Sequence, residues 1–269
     1  MEHKDYSQVV AKPAATVLLV RDSDDGIEVF MVKRHHKIDF ASGAMVFPGG
    51  KVDGADAEQC LREYCADADK FDDVELALRV AAVRETFEEC GVLLARPRGS
   101  RELVDAKRLA ELQGWAKKLH GNVATMADFA AAENLELALD ELAYFAHWVT
   151  PPLVHKRFDT HFYLVKAPID QIAVHDGSES VESEWAKPGT IVAAADADDV
   201  RLVFATRLNL IKLGGFGDAG SALAATRAAT IVTVSPKLES FVDGVRTLRI
   251  PLAAGYGGEI FEVTDKPAM

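Results

Sequence analysis

The segment Val74–Cys90 constrains the fold of this chain more than any other. Asp72 precedes it as a candidate N-terminal cap, and Gly91 follows it as a candidate helix stop. Apolar side chains recur near helical spacing along one side of the segment, at Val74, Leu78, Ala81 and Phe87. The pattern predicts a helix of about 17 residues that is docked on a core and is about 26 Å long.

Three glutamates share one face at the end of this predicted helix. Glu85, Glu88 and Glu89 stand at positions i, i+3 and i+4, and Arg84 lies four residues before Glu88 and could pair with it. The helix dipole disfavours negative charge here, and the carboxylates would repel each other unless a cation lay between them. Hard divalent cations select oxygen ligands, so the face predicts bound Mg²⁺ or Mn²⁺. A solvated acidic face is the alternative, and the apolar opposite side argues against it.

The stretch Arg84–Val92 resembles the end of the Nudix box, G-x5-E-x7-R-E-U-x-E-E-x-G-U, in which U is a bulky aliphatic residue. The matching positions are Arg84, Glu85, Glu88, Glu89, Gly91 and Val92. Upstream, Phe47-Pro48-Gly49-Gly50 resembles the loop that opens the box, with Gly50 as its first glycine. Asp56 stands where the box has its first Glu, but 27 residues separate it from Arg84 where the family has seven. The box is therefore split by an insertion at about 57–73, and the role of Asp56 stays open.

The resemblance implies an α/β fold, the Nudix α/β/α sandwich, with a mixed sheet and a helical insertion within the box. It implies Glu88 and Glu89 as the main metal ligands, Glu85 as a further ligand or base, and the carbonyl of Gly49 as another ligand. Arg84 completes the expected catalytic group. Metal ions would clamp a diphosphate and activate the attacking water.

In having a box split by an insertion, the chain resembles one branch of the family, the peroxisomal coenzyme A diphosphatases and their bacterial relatives. The segments Trp148–Pro152 and Arg157–Thr160 resemble the same branch. The resemblance implies hydrolysis of coenzyme A, dephospho-coenzyme A or acyl-coenzyme A. ADP-ribose or a dinucleotide is an alternative substrate. A Nudix-fold binding module without catalysis is a further alternative, against which the three intact glutamates argue.

Four residues are candidates for substrate binding: Lys33, Arg34, Gly50 and Arg157. The basic run Lys33–Lys37 could contact phosphate oxygens, although a solvated strand end explains it equally well. Arg34, Gly43 and the glycine loop fit the spacing of an upstream element that coenzyme A hydrolases often carry. Asp39 stands where that element has its second Arg.

Other polar residues carry less information. Glu179 and Glu182 could supply an extra base, but a solvated strand edge is favoured. The eight histidines show no spacing typical of a metal site, and His161 is expected to be an ordinary strand or loop residue.

The rest of the chain predicts a compact domain with added helices. Residues 1–13 form a polar leader, 14–198 the Nudix domain, and 199–269 a C-terminal helical extension packed on it. Strands are expected at Ala14–Arg21, Ile27–Arg34, Val92–Ala95, Ala143–Thr150, Phe158–Val165, Val181–Trp185, Thr230–Val234 and Leu248–Pro251. Helices are expected near Ala55–Ala66 and at Arg101–His120, Met126–Leu142, Val200–Leu213 and Ser221–Ala229.

Composition limits the partners. A net charge of −12 disfavours nucleic acid and anionic lipid, so a small nucleotide substrate is expected instead. The three cysteines form no CxxC pair, and no apolar run is long enough to span a bilayer. These features favour the cytoplasm, and a homodimer stays open.

Asp39 generates a prediction about substrate choice. An Arg there would contact phosphate, whereas Asp adds negative charge beside an anionic ligand. We expect the chain to cut dephospho-coenzyme A at least as well as coenzyme A, and Asp39→Arg to shift the ratio of kcat/KM towards coenzyme A. A wild type that strongly prefers the 3′-phosphorylated substrate, with a ratio indifferent to Asp39→Arg, would contradict it.

Overall fold

A mixed sheet organises the protein in this computed structural model, which describes residues 6, 8–35, 43–174 and 180–264. Its strands are β1 (Lys12–Ser23), β2 (Gly26–Arg34), β3 (Ala44–Val46), β4 (Gly49–Lys51), β5 (Ala95–Pro97), β6 (Leu135–Leu137), β7 (Ala143–Val149), β8 (Phe158–Lys166), β9 (Ser180–Ala186), β10 (Arg201–Leu202), β11 (Thr233–Val234), β12 (Lys237–Val242), β13 (Val245–Arg249) and β14 (Ile260–Thr264). Its α-helices are α1 (Asp73–Cys90), α2 (Ala106–Leu112), α3 (Gly114–His120), α4 (Met126–Glu133), α5 (Pro188–Asp196), α6 (Phe204–Leu213) and α7 (Ala219–Ala228). No helix in these ranges has both the length and the apolar composition needed to cross a lipid bilayer.

β1 is the central strand of the larger sheet. The strand order through the described residues is β10-β3-β2-β1-β8-β7-β11, with β4 pairing β1 and β9 pairing β2. β1 runs parallel to β8 and antiparallel to both β2 and β4. Because β8 covers one edge of β1 from Lys12 to Val20, β2 and β4 share the other edge. The glycine loop that contains β4 is thereby fixed beside the first half of β1.

Side chains of β1 alternate between two cores, as the period of a strand requires. Val17 and Leu19 belong to a core that includes buried residues of α1 and α4. Leu18 and Val20 belong to a second core with residues of α6 and α7. Helices therefore cover both faces of the sheet, which confirms the predicted α/β/α sandwich.

Helix α1 begins and ends as its sequence predicts. The Asp72 side chain accepts a hydrogen bond from the Glu75 backbone N–H, and Gly91 adopts the left-handed conformation (φ 66°) that ends many helices. Thr86, at a box position that usually holds an aliphatic residue, is buried and its hydroxyl donates to the Ala82 carbonyl. That bond satisfies the hydroxyl and lets the polar residue occupy the core.

The insertion is a run of 3-10 helices at Gly54–Ala57, Gln59–Tyr64 and Ala68–Lys70, whereas a single helix was expected. It is anchored in the core, since Leu61 is fully buried. The Ala66 N–H donates to the Leu137 carbonyl of β6. The excursion therefore leaves the register of α1 intact and packs beside it.

The prediction of two long helices between 101 and 142 is wrong. The first region holds α2 and α3, and α4 ends at Asn134, which adopts the left-handed conformation. Leu135–Leu137 then form β6, which pairs with β5, and β5 itself lies later than the predicted Val92–Ala95 strand. Local composition at Leu135–Leu137 favours helix, but pairing with β5 overrides this propensity. Because β5 lies about 40 residues earlier in the sequence, no local pattern indicates the pairing.

The C-terminal region is only partly helical, which corrects the prediction for 199–269. Helices α6 and α7 are present, but β12, β13 and β14 follow as an antiparallel three-stranded sheet. Asp243 and Gly244 both have positive φ and join Val242 to Val245 across a two-residue turn. An Asp-Gly pair between apolar residues is typical of such a hairpin and was the missed signal.

A buried hydrogen-bond chain ties this region to the sheet and generates a stability prediction. Trp148 Nε1 donates to the Tyr256 hydroxyl (2.8 Å), which donates to Asn209 Oδ1 (2.7 Å). Tyr256→Phe leaves Trp148 Nε1 and Asn209 Oδ1 buried without this hydrogen-bond partner. We therefore expect the free energy of unfolding in urea to fall by about 1–3 kcal/mol.

Tyr163→Phe is the matched control, because the Tyr163 hydroxyl is buried with no hydrogen-bond partner in the described part of the chain. Its removal is expected to leave stability unchanged or higher. Equal losses in the two variants would show that the hydrogen-bond chain does not stabilise the fold.

Candidate active site

Helix α1 presents Glu85, Glu88 and Glu89 to the glycine loop. The side chains of Glu85 and Glu88 are 14% and 6% exposed, and Glu89 is also buried. This acidic face is therefore not a solvated helix surface. Its carboxylates are held inside the protein by named contacts.

Arg84 organises two of these carboxylates. Its Nη1 donates to Glu85 Oε1 (3.0 Å) and to Glu88 Oε1 (3.2 Å), so the two oxygens lie around one nitrogen. Its Nη2 also donates to the carbonyl of Lys51 at the end of β4 (2.9 Å). The expected pairing of Arg84 with Glu88 is present, as one of several bonds. Arg84 thus positions the acidic face and joins it to the glycine loop.

Asp56 is the second partner of Arg84. The guanidinium binds it in a bidentate manner, from Nε to Oδ1 and from Nη2 to Oδ2, both at 2.9 Å. Asp56 is only 1% exposed, and its Oδ2 also accepts the Asp53 backbone N–H. The chain between Asp56 and α1 loops out, so the side chain still reaches Arg84. Asp56 therefore holds the Arg84 side chain in place, a role that could not be assigned from the sequence.

The glycine loop approaches α1 more closely than a side chain would permit. The Gly49 N–H donates to Glu89 Oε2 (3.0 Å), and a Cβ on Gly49, where φ is +150°, would lie 2.3 Å from the Ala15 carbonyl oxygen. A Cβ on Gly50 would lie 2.4 Å from Glu85 Oε1. Both glycines are required by space. The role of the Gly49 carbonyl as a metal ligand stays a prediction.

The acidic face carries more negative charge than its arginine neutralises. Burial raises the pKa of Glu85 to about 7, with Arg84 opposing the rise and Glu88 adding to it. Burial also raises the pKa of Glu88, again against Arg84. The donor set of closely held carboxylate oxygens fits a hard divalent cation, which would supply the missing positive charge.

His120 is a neighbour that sequence reasoning missed. It comes from α3, its side chain is about half exposed, and its Nδ1 lies 3.5 Å from Glu88 Oε2. Because 31 residues separate the two along the chain, no local pattern could have linked them.

Three of the residues predicted to contact substrate, Lys33, Arg34 and Arg157, differ in how they are bound within the protein. Lys33 is paired with Glu182 (3.1 Å), which links two of the predicted candidates across β2 and β9. The buried Nε of Arg34, at the end of β2, has no hydrogen-bond partner within the described ranges. Arg157 donates from Nη1 to the Val9 carbonyl (2.6 Å) and from Nε to that of Thr150 (3.0 Å). Arg157 thus braces backbone, and its contact with substrate stays a prediction.

Some predicted positions lie outside the described residues. These are His36, Lys37, Asp39 and Glu179.

A histidine cluster on the same sheet was also missed. His147 of β7 and Asp159 and His161 of β8 bring one ligand atom each to within 4.8 Å of one another. Burial, together with the neighbouring His147 and against the opposing charge of Asp159, lowers the pKa of His161 to about 4. The two histidines pair across antiparallel strands, so their spacing in sequence carried no metal signal.

The sheet, the helix and the glycine loop together define a Nudix domain. Comparison with solved structures agrees: a Nudix hydrolase from Alicyclobacillus acidocaldarius has a TM-score of 0.70 and 27% identity, over 81% of this chain and 97% of that one. The family model described as the NUDT19 Nudix domain matches residues 62–210, more than half of the chain. The chain belongs to this family.

Curated relatives include the acyl-coenzyme A diphosphatase NUDT19 of Xenopus laevis, 24% identical over 200 residues, which covers 60% of this chain and 53% of that protein. Human NUDT19, which carries the same description, is 27% identical over 203 residues, covering 61% and 54%. The chain spans about half the length of the curated relatives it matches.

The close approach at Gly50 generates a prediction about metal binding. Gly50→Ala places a methyl group against Glu85 and should displace that carboxylate, so we expect Mn²⁺ affinity to fall about 10-fold or more, as for losses of ligand positioning elsewhere. Titration calorimetry measures the change.

Gly54→Ala is the matched control, because a Cβ at Gly54 meets no atom within 4 Å. It should bind Mn²⁺ as the wild type does. If Gly50→Ala also binds normally, Glu85 does not depend on the space that Gly50 provides.

Proposed function

We propose that this chain hydrolyses the diphosphate bond of coenzyme A-type nucleotides, with Mg²⁺ or Mn²⁺ as cofactor. The observation that carries the proposal is the buried acidic face of α1, in which Arg84 and Gly49 hold Glu85, Glu88 and Glu89 together. A binding module without turnover has no need to keep three glutamates buried side by side with only one guanidinium, which contacts two of them. Coenzyme A as the substrate class is supported by the NUDT19 relatives, whose names state that they are acyl-coenzyme A diphosphatases.

The three glutamates supply oxygen ligands, which suit Mg²⁺ and Mn²⁺. A bound ion of this kind offsets charge on the diphosphate oxygens and lowers the pKa of a bound water. Glu88 and Glu89 would hold the ion, with Glu85 beside them against Gly50. Arg84 is a positioning residue, because its contacts to Asp56, Glu85 and Glu88 set the carboxylate geometry.

The reaction balances as a simple hydrolysis. A water oxygen forms a bond to one phosphorus, and the bond from that phosphorus to the bridging oxygen breaks. The products are a nucleoside 5′-phosphate, which keeps the 3′-phosphate when the substrate is coenzyme A, and a phosphate monoester of the other moiety. The two protons of the water pass to the product phosphates, to a carboxylate or to solvent. We propose no step that needs a further co-reactant.

The remaining sequence predictions belong to this proposal. The net charge of −12 supports a small nucleotide substrate and disfavours nucleic acid as a partner. A cytoplasmic location, the absence of a membrane partner and a homodimer stay predictions. ADP-ribose and dinucleotides stay the alternative substrates.

The proposal predicts a substrate order and its dependence on Glu89. We expect coenzyme A, dephospho-coenzyme A or an acyl-coenzyme A to give a higher kcat/KM than ADP-ribose or a dinucleotide, with Mg²⁺ or Mn²⁺ required. Glu89→Gln keeps an acceptor for the Gly49 N–H but loses the charge, so turnover should fall by about 10²–10³-fold. A panel of nucleotide conjugates with coupled phosphate detection measures both.

Glu63→Gln, at an exposed position in the insertion, is the charge-matched control and should keep full turnover. Near-wild-type turnover in Glu89→Gln at saturating metal would refute the site. Turnover of ADP-ribose alone would keep the site and refute the substrate class.

A further inference from the structure

A second group of metal-ligand side chains lies on β7 and β8. His147 pairs with His161 across the two antiparallel strands. Asp159 stands two residues before His161, so these two side chains project from the same face of β8. Tyr144 and Thr233 each form a hydrogen bond with one of the two histidines. All three ligand side chains are therefore supported by strands and not by loops.

The outer nitrogen of each imidazole is held by a hydroxyl. His161 Nδ1 lies 2.8 Å from the Tyr144 hydroxyl, and His147 Nδ1 lies 2.8 Å from Thr233 Oγ1. A hydroxyl can accept from Nδ1–H, which leaves the lone pair on each Nε2. Metal-binding histidines are commonly oriented in this way through the second ring nitrogen.

Nε2 of both rings is directed at one carboxylate oxygen. His147 Nε2 lies 2.5 Å from Asp159 Oδ1, and His161 Nε2 lies 3.7 Å from the same atom. The two imidazole rings stack with their centroids 4.2 Å apart. A proton shared by His147 and Asp159 explains the first contact. It does not explain why His161 directs Nε2 at the same oxygen from beyond hydrogen-bond distance.

The spacing suits a tetrahedral ion. Bonds of about 2.0–2.1 Å from zinc to nitrogen or oxygen place tetrahedral ligand atoms about 3.3 Å apart. The two observed distances, 2.5 and 3.7 Å, lie on either side of that value. The Asp159 side chain is 39% exposed, so it has room for the shift of roughly 0.4–0.8 Å that tetrahedral spacing requires. Its exposure also gives water access to a fourth position.

We propose that Nε2 of His147, Nε2 of His161 and the carboxylate of Asp159 bind a divalent transition-metal ion of the zinc type, with water as the fourth ligand. Two imidazoles and one carboxylate suit zinc, whereas Mg²⁺ selects oxygen ligands. This site is chemically distinct from the acidic face of α1, and it does not rest on the proposed hydrolysis.

The position of the site follows from the register of β1. Ala15 pairs with Gly50 on one side and with His161 on the other. Two strand spacings, about 10 Å, therefore separate the Gly50 and His161 backbones. Paired residues project to the same face of a sheet, so the zinc-type site lies on the face that α1 covers, across one strand from Gly50.

The test is a Zn²⁺ titration of the tag-free full chain by calorimetry in saturating Mg²⁺. We expect one zinc equivalent that Mg²⁺ does not displace, and at least a 10-fold loss of its affinity in His147→Gln and in His161→Gln. His155→Gln is the matched control, since His155 lies beside Tyr6 and is not a member of the cluster, and it should bind zinc normally. Glu89→Gln should also keep this zinc, which separates the site from the acidic face.

Anomalous scattering at the zinc edge from crystals of the wild type locates the ion and does not depend on how the variants fold. A peak bounded by His147, Asp159 and His161 supports the proposal. Zinc affinity equal in wild type and a folded His161→Gln, or an anomalous peak confined to the acidic face, would overturn it. Neither readout uses catalytic activity, so failure here leaves the proposed hydrolysis standing.

Discussion

The arrangement of carboxylates on the acidic face depends on the hydrogen bonds of the Arg84 guanidinium. Its nitrogens bind Asp56, the Lys51 carbonyl, Glu85 and Glu88, so one side chain joins the insertion, the glycine loop and the helix. Lysine could not make these contacts, because its three donors radiate from a single atom, whereas the planar guanidinium offers five donors in a fixed fork. Removing one member of such a buried group leaves the others unpaired, and burial makes that costly.

Close packing of backbone against carboxylate sets the second constraint. β4 lies under the end of α1 only because Gly49 and Gly50 carry no side chain. The sheet fixes this approach, since β4 is paired with the first half of β1 and β8 occupies the other edge. The same pairing lets the backbone donate to Glu89. The pairing of the central strand therefore determines where the carboxylates of α1 meet the glycine loop.

The two faces of the sheet carry different kinds of side chain. The face covered by α1 holds the polar groups, both the glutamates and the cluster of His147, Asp159 and His161. The other face is closed by α6 and α7 and by the buried contact of Tyr256 with Trp148. The donor atoms differ across this polar face, with carboxylate oxygens at α1 and two imidazoles with one carboxylate on the strands beyond β1 from Gly50. Oxygen and imidazole ligands select different cations, so the two positions need not compete for one metal.

Helix α1, its caps and the shared face of Glu85, Glu88 and Glu89 were predictable from sequence, because these features depend on residues within one or two helical turns. The β1–β2 hairpin was also predictable from local pattern. Three features required the folded structure. Asp56 binds Arg84 across the insertion, Leu135–Leu137 form a strand, and His147 lies beside His161. Each of these joins residues far apart in the chain, and such contacts depend on strand register and core packing, which no local periodicity encodes.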